Sequence, residues 1–309
     1  MSGSWKVTLP CTRAEAEAIQ PESIDDAVLM TSEVEEDVPE RWRLDAYVEQ
    51  EPDDGLIARL RALVPSAGAQ APAIERLGDE DWVTMSQAGL EPIREGRFVV
   101  HTAAHPVQPA AGERAFLIDA GRAFGTGHHQ TTAGCLAMLD GMADRAVTNA
   151  IDIGTGTGLL AFAARHLWPE AAVVATDIDA AAVAVAQTNA ALNGVERIDW
   201  VIADGALHEA ITTAAPYDLV IANVLAGPLI SMAAELAAIA APGATIVLAG
   251  LLETQAADVA AAYAACGCSL EKRDRRDDWT ILRLAAGATR FVPSAPPDPR
   301  GRDGWSLDL

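Results

Sequence analysis

The chain has 309 residues, half of them hydrophobic and 21% charged, so it is long enough for one large and one small domain with a sizeable core. It carries 44 acidic against 22 basic residues, a formal net charge of −22. This balance argues against binding a nucleic-acid backbone, which requires clustered lysine and arginine, and it is compatible with a basic partner.

Cysteine usage and the terminal segments indicate a cytoplasmic protein. The four cysteines, at positions 11, 135, 266 and 268, show no C-x-x-C spacing and are expected to be reduced thiols. The first ten residues lack the basic start and apolar run of a signal peptide. The most apolar stretch, residues 229–252, is interrupted by Glu235 and by Pro242-Gly243, so we do not expect it to span a membrane.

The N-terminal segment, residues 1–66, is predicted to form a small α/β unit. Residues 5–9, 27–31 and 42–48 have the pattern of strands. Thr12 is expected to cap a helix rich in alanine and glutamate, and residues 56–63 form a second amphipathic helix.

A linker is predicted over residues 67–97, because residues 65–72 are rich in alanine, glycine, serine and proline. Within it, residues 79–90 could form a short helix, and residues 98–101 begin the larger domain as a strand. The larger domain is expected to end at residue 286. The Pro-rich, polar tail over residues 287–309 is expected to be disordered.

From residue 149 onward, short apolar runs alternate with Ala-rich stretches of helical length. The runs are NAIDI, AVVATDID, IDWVIAD, YDLVIANV and ATIVLAG. Runs that are apolar on both faces and separated by helices predict buried parallel strands in a doubly wound α/β sheet. The last two runs, residues 269–273 and 279–284, lie close enough together to form an antiparallel edge.

The strongest local signal is the run DIGTGTG, which follows the first apolar strand. Gly154 and Gly156 there would let the backbone turn sharply and approach a ligand at the start of a helix. A dinucleotide fingerprint requires its third glycine at the position of Leu159. The tighter spacing therefore favours a ligand with a ribose and an amino-acid tail, and a glycine turn without a ligand is the alternative.

Polar side chains are predicted at the ends of the next three strands. Asp177 is placed to accept both ribose hydroxyls of an adenosine, whereas Asp179 is better explained as a helix N-cap. Asp204 could reach the adenine edge, or it is a simple turn residue. Asn223 ends the fourth run, where its amide oxygen could accept a hydrogen bond from an amine; an Asx-turn or a helix cap is the alternative.

A Gly/Thr-rich loop, AFGTGHHQTT over residues 123–132, precedes a predicted helix and could fold over a ligand. Thr131 or Thr132 would offer a hydroxyl. Its adjacent histidines, His128 and His129, diverge from one another and have no carboxylate or cysteine partners at ligand spacing, so no metal site is predicted.

Together these motifs resemble those of one family, the bacterial ribosomal protein L11 methyltransferases. The loop is similar to the family's A-F-G-T-G-x-H-x-T-T, the glycine turn to D-x-G-x-G-x-G, and ANVLAGPL to A-N-I-L-A-x-P-L. The resemblance covers roughly residues 81–284, including Trp279 in the last strand, and is weaker over the N-terminal unit. His128 and Gln130 stand where the family commonly has threonine and proline.

The resemblance implies a Rossmann-like class I methyltransferase domain over residues 98–286, preceded by a ferredoxin-like domain that recognises the substrate. It implies that S-adenosylmethionine is the cofactor and that Thr132, Gly154, Asp177 and Asn223 contact it, with Asn223 also beside the acceptor amine. The implied reaction methylates lysine side chains and the N-terminal amine of ribosomal protein L11, a basic protein.

Two other functions remain open from the sequence. One is a lysine methyltransferase of another protein, such as an electron-transfer flavoprotein subunit. The other is a nucleotide-binding oxidoreductase, or a non-catalytic binding module, on the same fold. Leu159 argues against the oxidoreductase, and Asn223 argues against the module.

Overall fold

A computed structural model describes residues 4–19, 24, 27–33, 42–48, 50–68, 70–77, 92–118 and 130–292 of the chain. The chain divides into two compact units, Met1–Gln87 and Ala88–Leu309. The predicted helix over residues 79–90, residues 123–129 of the loop predicted over 123–132, and residues 293–309 of the tail predicted over 287–309 lie outside the described residues. None of the described helices is long and apolar enough to cross a membrane.

The N-terminal unit has the element order β-α-β-β-α-β. Its elements are β1 (Ser4–Cys11), α1 (Arg13–Ala18), β2 (Val28–Glu33), β3 (Trp42–Val48), α2 (Asp54–Leu63) and β4 (Ala73–Leu77). The four strands form an antiparallel sheet in the order β2-β3-β1-β4. This order and connectivity confirm the ferredoxin-like prediction.

Local sequence explains where the two helices of this unit begin. The Thr12 hydroxyl accepts from the backbone N–H of Glu15, and the Glu15 carboxylate accepts from the Thr12 N–H, which forms a capping box. Asp53 caps α2 by accepting from Leu56 N at 2.7 Å. Alternate residues of β1 and β3 then pack against the helices in a core of Val7, Leu9, Cys11, Leu44, Ala46, Val48, Leu56 and Leu60.

The fourth strand of this unit was not predicted. The composition of residues 65–72 predicts a linker over residues 67–97, whereas β4 pairs with β1 through the register Val7↔Ile74 and is part of the N-terminal sheet. A 3-10 turn over Pro65–Ala67 and a positive φ of 54° at Gly68 precede the strand. Glycine and proline indicated a turn here, but five residues with mixed polarity gave no clear signal of a strand.

The second unit contains ten strands and seven α-helices among its described residues. The strands are β5 (Ile93–Glu95), β6 (Phe98–His101), β7 (Arg114–Leu117), β8 (Asn149–Ile153), β9 (Ala172–Asp177), β10 (Ile198–Ile202), β11 (Tyr217–Asn223), β12 (Ala240–Leu252), β13 (Ser269–Arg276) and β14 (Trp279–Ala285). The helices are α3 (Gln130–Asp140), α4 (Leu159–Leu167), α5 (Ala180–Leu192), α6 (Glu209–Ala214), α7 (Ala226–Ser231), α8 (Ala233–Ile239) and α9 (Ala256–Ala265).

Seven of these strands form one sheet, in the order β10-β9-β8-β11-β12-β14-β13. The five from β10 to β12 are parallel, and β14 is antiparallel to both of its neighbours. The chain reverses its direction of travel across the sheet at β8, because β9 lies on one side of it and β11 on the other. In a doubly wound sheet this switch point is where a ligand binds, outside the carboxyl ends of the strands.

The parallel strands are buried on both faces, as their apolar runs predicted. In β11, Leu219 and Ile221 pack into one hydrophobic cluster, and Val220 and Ala222 pack into the cluster on the opposite face. A separate three-stranded sheet, β5-β6-β7, is held to the end of α5 by Asn193, whose side chain exchanges two hydrogen bonds with the backbone of Leu117.

Candidate active site

The glycine turn after β8 requires glycine for two reasons. Gly154, Gly156 and Gly158 have φ values of 70°, 54° and 88°, in the left-handed region that other residues rarely adopt. A Cβ at Gly154 would lie 2.4 Å from Cγ1 of Val224, so there is no room for a side chain. The turn therefore brings bare backbone to the carboxyl edge of the sheet and leads into α4, whose first N–H groups face the same edge.

Asp177, at the end of β9, is bound to the glycine turn. Its Oδ2 accepts from the backbone N–H of Gly156 at 2.9 Å, and its Oδ1 accepts from Asp179 N at 3.1 Å. Asp179 in turn caps α5 by accepting from Ala181 N, which confirms the N-cap prediction. Each carboxylate oxygen has a second lone pair, so Asp177 can still accept hydroxyl donors from a ligand.

The turn after β10 is tied to the end of β9. The backbone N–H of Ala203 donates to the carbonyl of Asp177 at 2.9 Å. Asp204 follows in this turn as an exposed residue, and Gly205 has a positive φ of 64°. Asp177 and Asp204 are thus carried by neighbouring segments at the same edge of the sheet.

Asn223 and Thr132 are brought together from positions 91 residues apart. Asn223 Nδ2 donates to Thr132 Oγ1 at 3.1 Å, and Thr132 is buried. Among the described residues, Asn223 Oδ1 is buried and has no hydrogen-bond partner. Since a buried acceptor without a donor is unfavourable, this oxygen is suited to a donor that arrives with a ligand.

The helix that carries Thr132 packs closely on the antiparallel edge of the sheet. A Cβ at Gly134 would lie 2.3 Å from Cδ1 of Ile281, so glycine is required for the approach of α3 to β14. Gln130, the first residue of α3, donates from its side chain to Asp277 in the β13–β14 turn at 3.3 Å.

Val224 links the two halves of the site. Its side chain fills the space beside Gly154, and its backbone lies against Gly250 of β12, where an added Cβ would be 2.4 Å from the Val224 carbonyl oxygen. Gly250 has a φ of 84°. These contacts fix the backbone that follows Asn223 relative to the glycine turn, and the sequence analysis did not anticipate them because they join residues distant in the chain.

Asp152 is a further group that the sequence analysis did not select. It is buried in β8, and its Oδ2 accepts from the Thr155 hydroxyl at 2.6 Å, whereas its Oδ1 has no hydrogen-bond partner within the described part of the chain. Burial raises the pKa of its carboxyl to about 7, although the hydrogen bond from Thr155 acts in the opposite direction. An aspartate inside the otherwise apolar run NAIDI was the signal available in the sequence.

Apolar side chains surround these polar groups. Ile178, Ile202 and Leu225 are exposed by 59%, 54% and 55%, and each lies at or just beyond the carboxyl end of a strand. Exposed large hydrophobic residues beside a few convergent polar atoms are typical of a site that binds a small organic molecule.

The predicted site residues thus lie together in two connected pairs. Gly156 is bonded to Asp177, Thr132 is bonded to Asn223, and Val224 packs against Gly154 between them. The glycine turn, the carboxylate at the end of the second strand and the order of the seven strands define a class I methyltransferase.

The comparisons with known proteins identify the family. A family profile described as Ribosomal protein L11 methyltransferase (PrmA) matches residues 6–286. The chain is 40% identical over 264 residues to a "Ribosomal protein L11 methyltransferase" of Allorhizobium ampelinum, which covers 84% of this chain and 90% of the relative. It is 42% identical over 255 residues to the protein of that name from Brucella abortus, covering 82% and 87%. The chain belongs to the ribosomal protein L11 methyltransferase family.

A solved structure agrees with this assignment. The ribosomal protein L11 methylase from Lactobacillus delbrueckii subsp. bulgaricus superimposes with a TM-score of 0.58 at 25% sequence identity. The match covers 64% of this chain and 100% of the solved chain.

Proposed function

We propose that this chain transfers methyl groups from S-adenosylmethionine to amino groups of ribosomal protein L11, on lysine side chains and at the N-terminal amine. The observation that carries the proposal is the buried Oδ1 of Asn223, which has no hydrogen-bond partner in the part of the chain that the structure describes and lies beside the glycine turn at the switch point of the sheet. Family membership supports both the reaction and the substrate.

The residues present fit the cofactor. Gly154 and Gly156, both with positive φ, present bare backbone at the carboxyl edge of the sheet, and Asp177 can accept from the two ribose hydroxyls. Asp204 lies beyond Asp177, on the side where the adenine would extend, and Thr132 contacts Asn223. When bound, S-adenosylmethionine supplies a methyl group already activated by the positive charge on its sulfur.

In the proposed mechanism, one polar atom of the Asn223 amide is held by the protein and the other binds the substrate amine. Its Nδ2 is held by Thr132, which orients the amide, and its Oδ1 accepts an N–H of the incoming amine. This hydrogen bond leaves the lone pair of the amine free to form the new N–C bond to the methyl carbon. The C–S bond of the sulfonium would break in the same step, S-adenosylhomocysteine would leave, and the methylated amine would then lose one proton. Because no proton needs to be moved to activate the donor, catalysis rests mainly on positioning the amine and excluding water.

The acceptor must be a neutral amine. The pKa is about 10.4 for a lysine side chain and about 8 for an α-amino group in water. Burial lowers both values, because a low dielectric disfavours the charged form, and this reduces the need for a dedicated base. The net charge of −22 also favours encounter with a basic protein such as L11.

The test is mass spectrometry of purified L11 that has been expressed without this enzyme and then incubated with it and S-adenosylmethionine. We expect mass gains in methyl steps, and we expect Asn223→Ala to accumulate them about 10²-fold more slowly. Gln108→Ala, which removes an exposed amide from the loop between β6 and β7, serves as a control that keeps the activity.

The other outcomes separate the alternatives. Cofactor binding without methylation of L11 would contradict the substrate and favour a lysine methyltransferase of another protein. Absence of S-adenosylmethionine binding by the wild-type chain would contradict the enzyme class.

A further inference from the structure

A buried carboxylate supports the turn that carries Asp204. Glu235, in α8, is only 3% exposed, and its Oε2 accepts from the backbone N–H of Ala206 at 3.2 Å. Ala206 is itself fully buried and lies two residues after Asp204. The bond joins the helix between β11 and β12 to the turn after β10, 29 residues away.

Position 235 is an unusual place for an acid. Its neighbours in α8, Leu236 and Ala237, belong to the hydrophobic cluster on this face of the sheet, together with Ala206. Moving a carboxylate into such a cluster costs free energy unless it accepts hydrogen bonds, and an apolar residue is the usual occupant. A charged acceptor does, however, form a stronger bond to a backbone N–H than a neutral acceptor does.

The turn is thus held on both sides of Asp204. Before it, Ala203 N donates to the Asp177 carbonyl; after it, Ala206 N donates to Glu235. Between these two points, Gly205 adopts a positive φ, so the backbone alone does not fix the path of the turn. The second attachment restrains the backbone immediately after Asp204.

We propose that Glu235 is a positioning residue for the adenine end of the cofactor site. Through its bond to Ala206 it holds the 203–207 turn so that the Asp204 carboxylate can accept from the exocyclic amine of adenine. Glu235 does not touch the ligand. The proposal rests on the proposed function, since it assumes an adenosine at this edge of the sheet.

The experiment compares variants that differ in their ability to accept from Ala206 N. Glu235→Met preserves the approximate volume without an oxygen acceptor, and Glu235→Gln retains a neutral acceptor. Glu235→Asp withdraws the carboxylate by one methylene and provides a second loss variant if the methionine variant does not fold. Tyr263→Phe is the buried control, because among the described residues the Tyr263 hydroxyl has no hydrogen-bond partner.

Binding of S-adenosylhomocysteine and of S-inosylhomocysteine, in which a carbonyl replaces the adenine amine, is measured by calorimetry. For Glu235→Met we expect S-adenosylhomocysteine to bind about tenfold more weakly, the loss typical of one buried hydrogen bond. Binding of the inosyl analogue should change little, so the preference for adenine decreases by about the same factor. The Kd for S-adenosylhomocysteine of Glu235→Gln and of Tyr263→Phe should stay within about threefold of the wild-type value. The kcat at saturating cofactor should be nearly unchanged in all folded variants.

Three results would overturn the inference. Unchanged Kd values for Glu235→Met or Glu235→Asp would show that the bond does not position the site. Equal weakening of both ligands would show a general packing defect, which a lower unfolding temperature would accompany. If the wild type binds neither ligand, the proposed function itself fails, and the inference fails with it.

Discussion

The polar side chains at the two ends of β11 differ in whether their oxygen atoms accept hydrogen bonds from the protein. At the amino end, Asp218 Oδ2 accepts three hydrogen bonds, from the backbone and hydroxyl of Thr148 and from the backbone of Asn149, at 2.6–3.1 Å. At the carboxyl end, the Oδ1 of Asn223 is buried and has no partner among the described residues. One strand therefore carries a satisfied acceptor at one end and an unsatisfied acceptor at the other.

The difference indicates that Asp218 stabilises the folded protein, whereas Asn223 is available to bind a ligand. The bonds of Asp218 connect the start of β8 to the start of β11, and they are already complete in the protein alone. The Asn223 oxygen contributes nothing to the folded state until a donor arrives, and it lies where the strand order reverses. Unsatisfied buried groups are few in native proteins, so one at a switch point indicates a binding site.

Asn223→Ala should have the largest effect on activity. The proposed acceptor for the amine is removed, and we expect kcat/KM to decrease by about 10²-fold, within the range for loss of one positioned catalytic group. Unfolding free energy should change by less than about 1 kcal/mol, because only the bond to Thr132 is lost from the folded protein. Methylation kinetics and urea unfolding of the same preparation check both parts. A large loss of stability would remove the contrast between the two ends of β11.

Gly250→Ala should affect both activity and stability. The new Cβ would meet the carbonyl oxygen of Val224 at 2.4 Å and displace the backbone that follows Asn223. We expect kcat to decrease by about tenfold, because small misplacements of a catalytic group are costly, and stability to decrease by about 2 kcal/mol.

The matched control is Gly243→Ala in the same strand, β12. Gly243 has a φ of 74°, close to the value at Gly250, but an added Cβ there has nothing within 4 Å. Both variants share the strain of a positive φ, and only Gly250→Ala adds the clash with Val224. Equal kcat values for the two variants would contradict a role for this contact in placing Asn223.

Asp218→Ala should affect stability alone. Three hydrogen bonds at a partly exposed site are lost, and we expect the unfolding free energy to decrease by about 1.5 kcal/mol. The KM for S-adenosylmethionine should not change, since Asp218 lies at the amino ends of the parallel strands and the glycine turn lies at their carboxyl ends. Urea unfolding measures the first quantity and steady-state kinetics the second. A raised KM would show that the two edges are coupled.

The sequence predicted the sheet well because its signals are local. The apolar runs at β8, β9 and β11 are recognisable alone, since strands buried on both faces contain few polar residues. The glycine turn and the cap at Asp179 also depend only on neighbouring residues. The prediction failed at β4, a short edge strand whose identity comes from pairing with β1, 67 residues earlier at the Val7–Ile74 pair.

The candidate site was predicted residue by residue, but its connections were not. The resemblance selected Thr132 and Asn223, yet nothing in the sequence indicates that one donates to the other. The contacts of Val224 with Gly154 and Gly250 likewise appear only when β8, β11 and β12 are aligned in the sheet. Asp152 was overlooked because the raised pKa of its carboxyl depends on complete burial within a core strand. The extent of this burial cannot be read from the sequence.

The last expected effect concerns the pH dependence of stability. Folding raises the pKa of Asp152 from its ordinary value of 3.8 to about 7, so between these values the folded state holds a proton that the unfolded state has released. The contribution of this group to the free energy of unfolding is fully present below pH 3.8. It decreases as the pH rises above that value and is lost once the pH has passed through 7. Between pH 6 and 7 the loss should be about 1 kcal/mol.

Two variants test this assignment by urea unfolding without cofactor, between pH 5 and 8. Asp152→Asn cannot ionise, so its stability relative to the wild type should increase as the pH rises. In the wild type, the hydrogen bond from the Thr155 hydroxyl lowers the pKa of Asp152. Thr155→Val removes this bond and raises that pKa, so the decrease in stability should extend to higher pH than in the wild type. If Asp152→Asn followed the wild-type curve, the carboxylate would already be charged in the folded protein. Its buried Oδ1 would then need a donor that comes from outside the described residues.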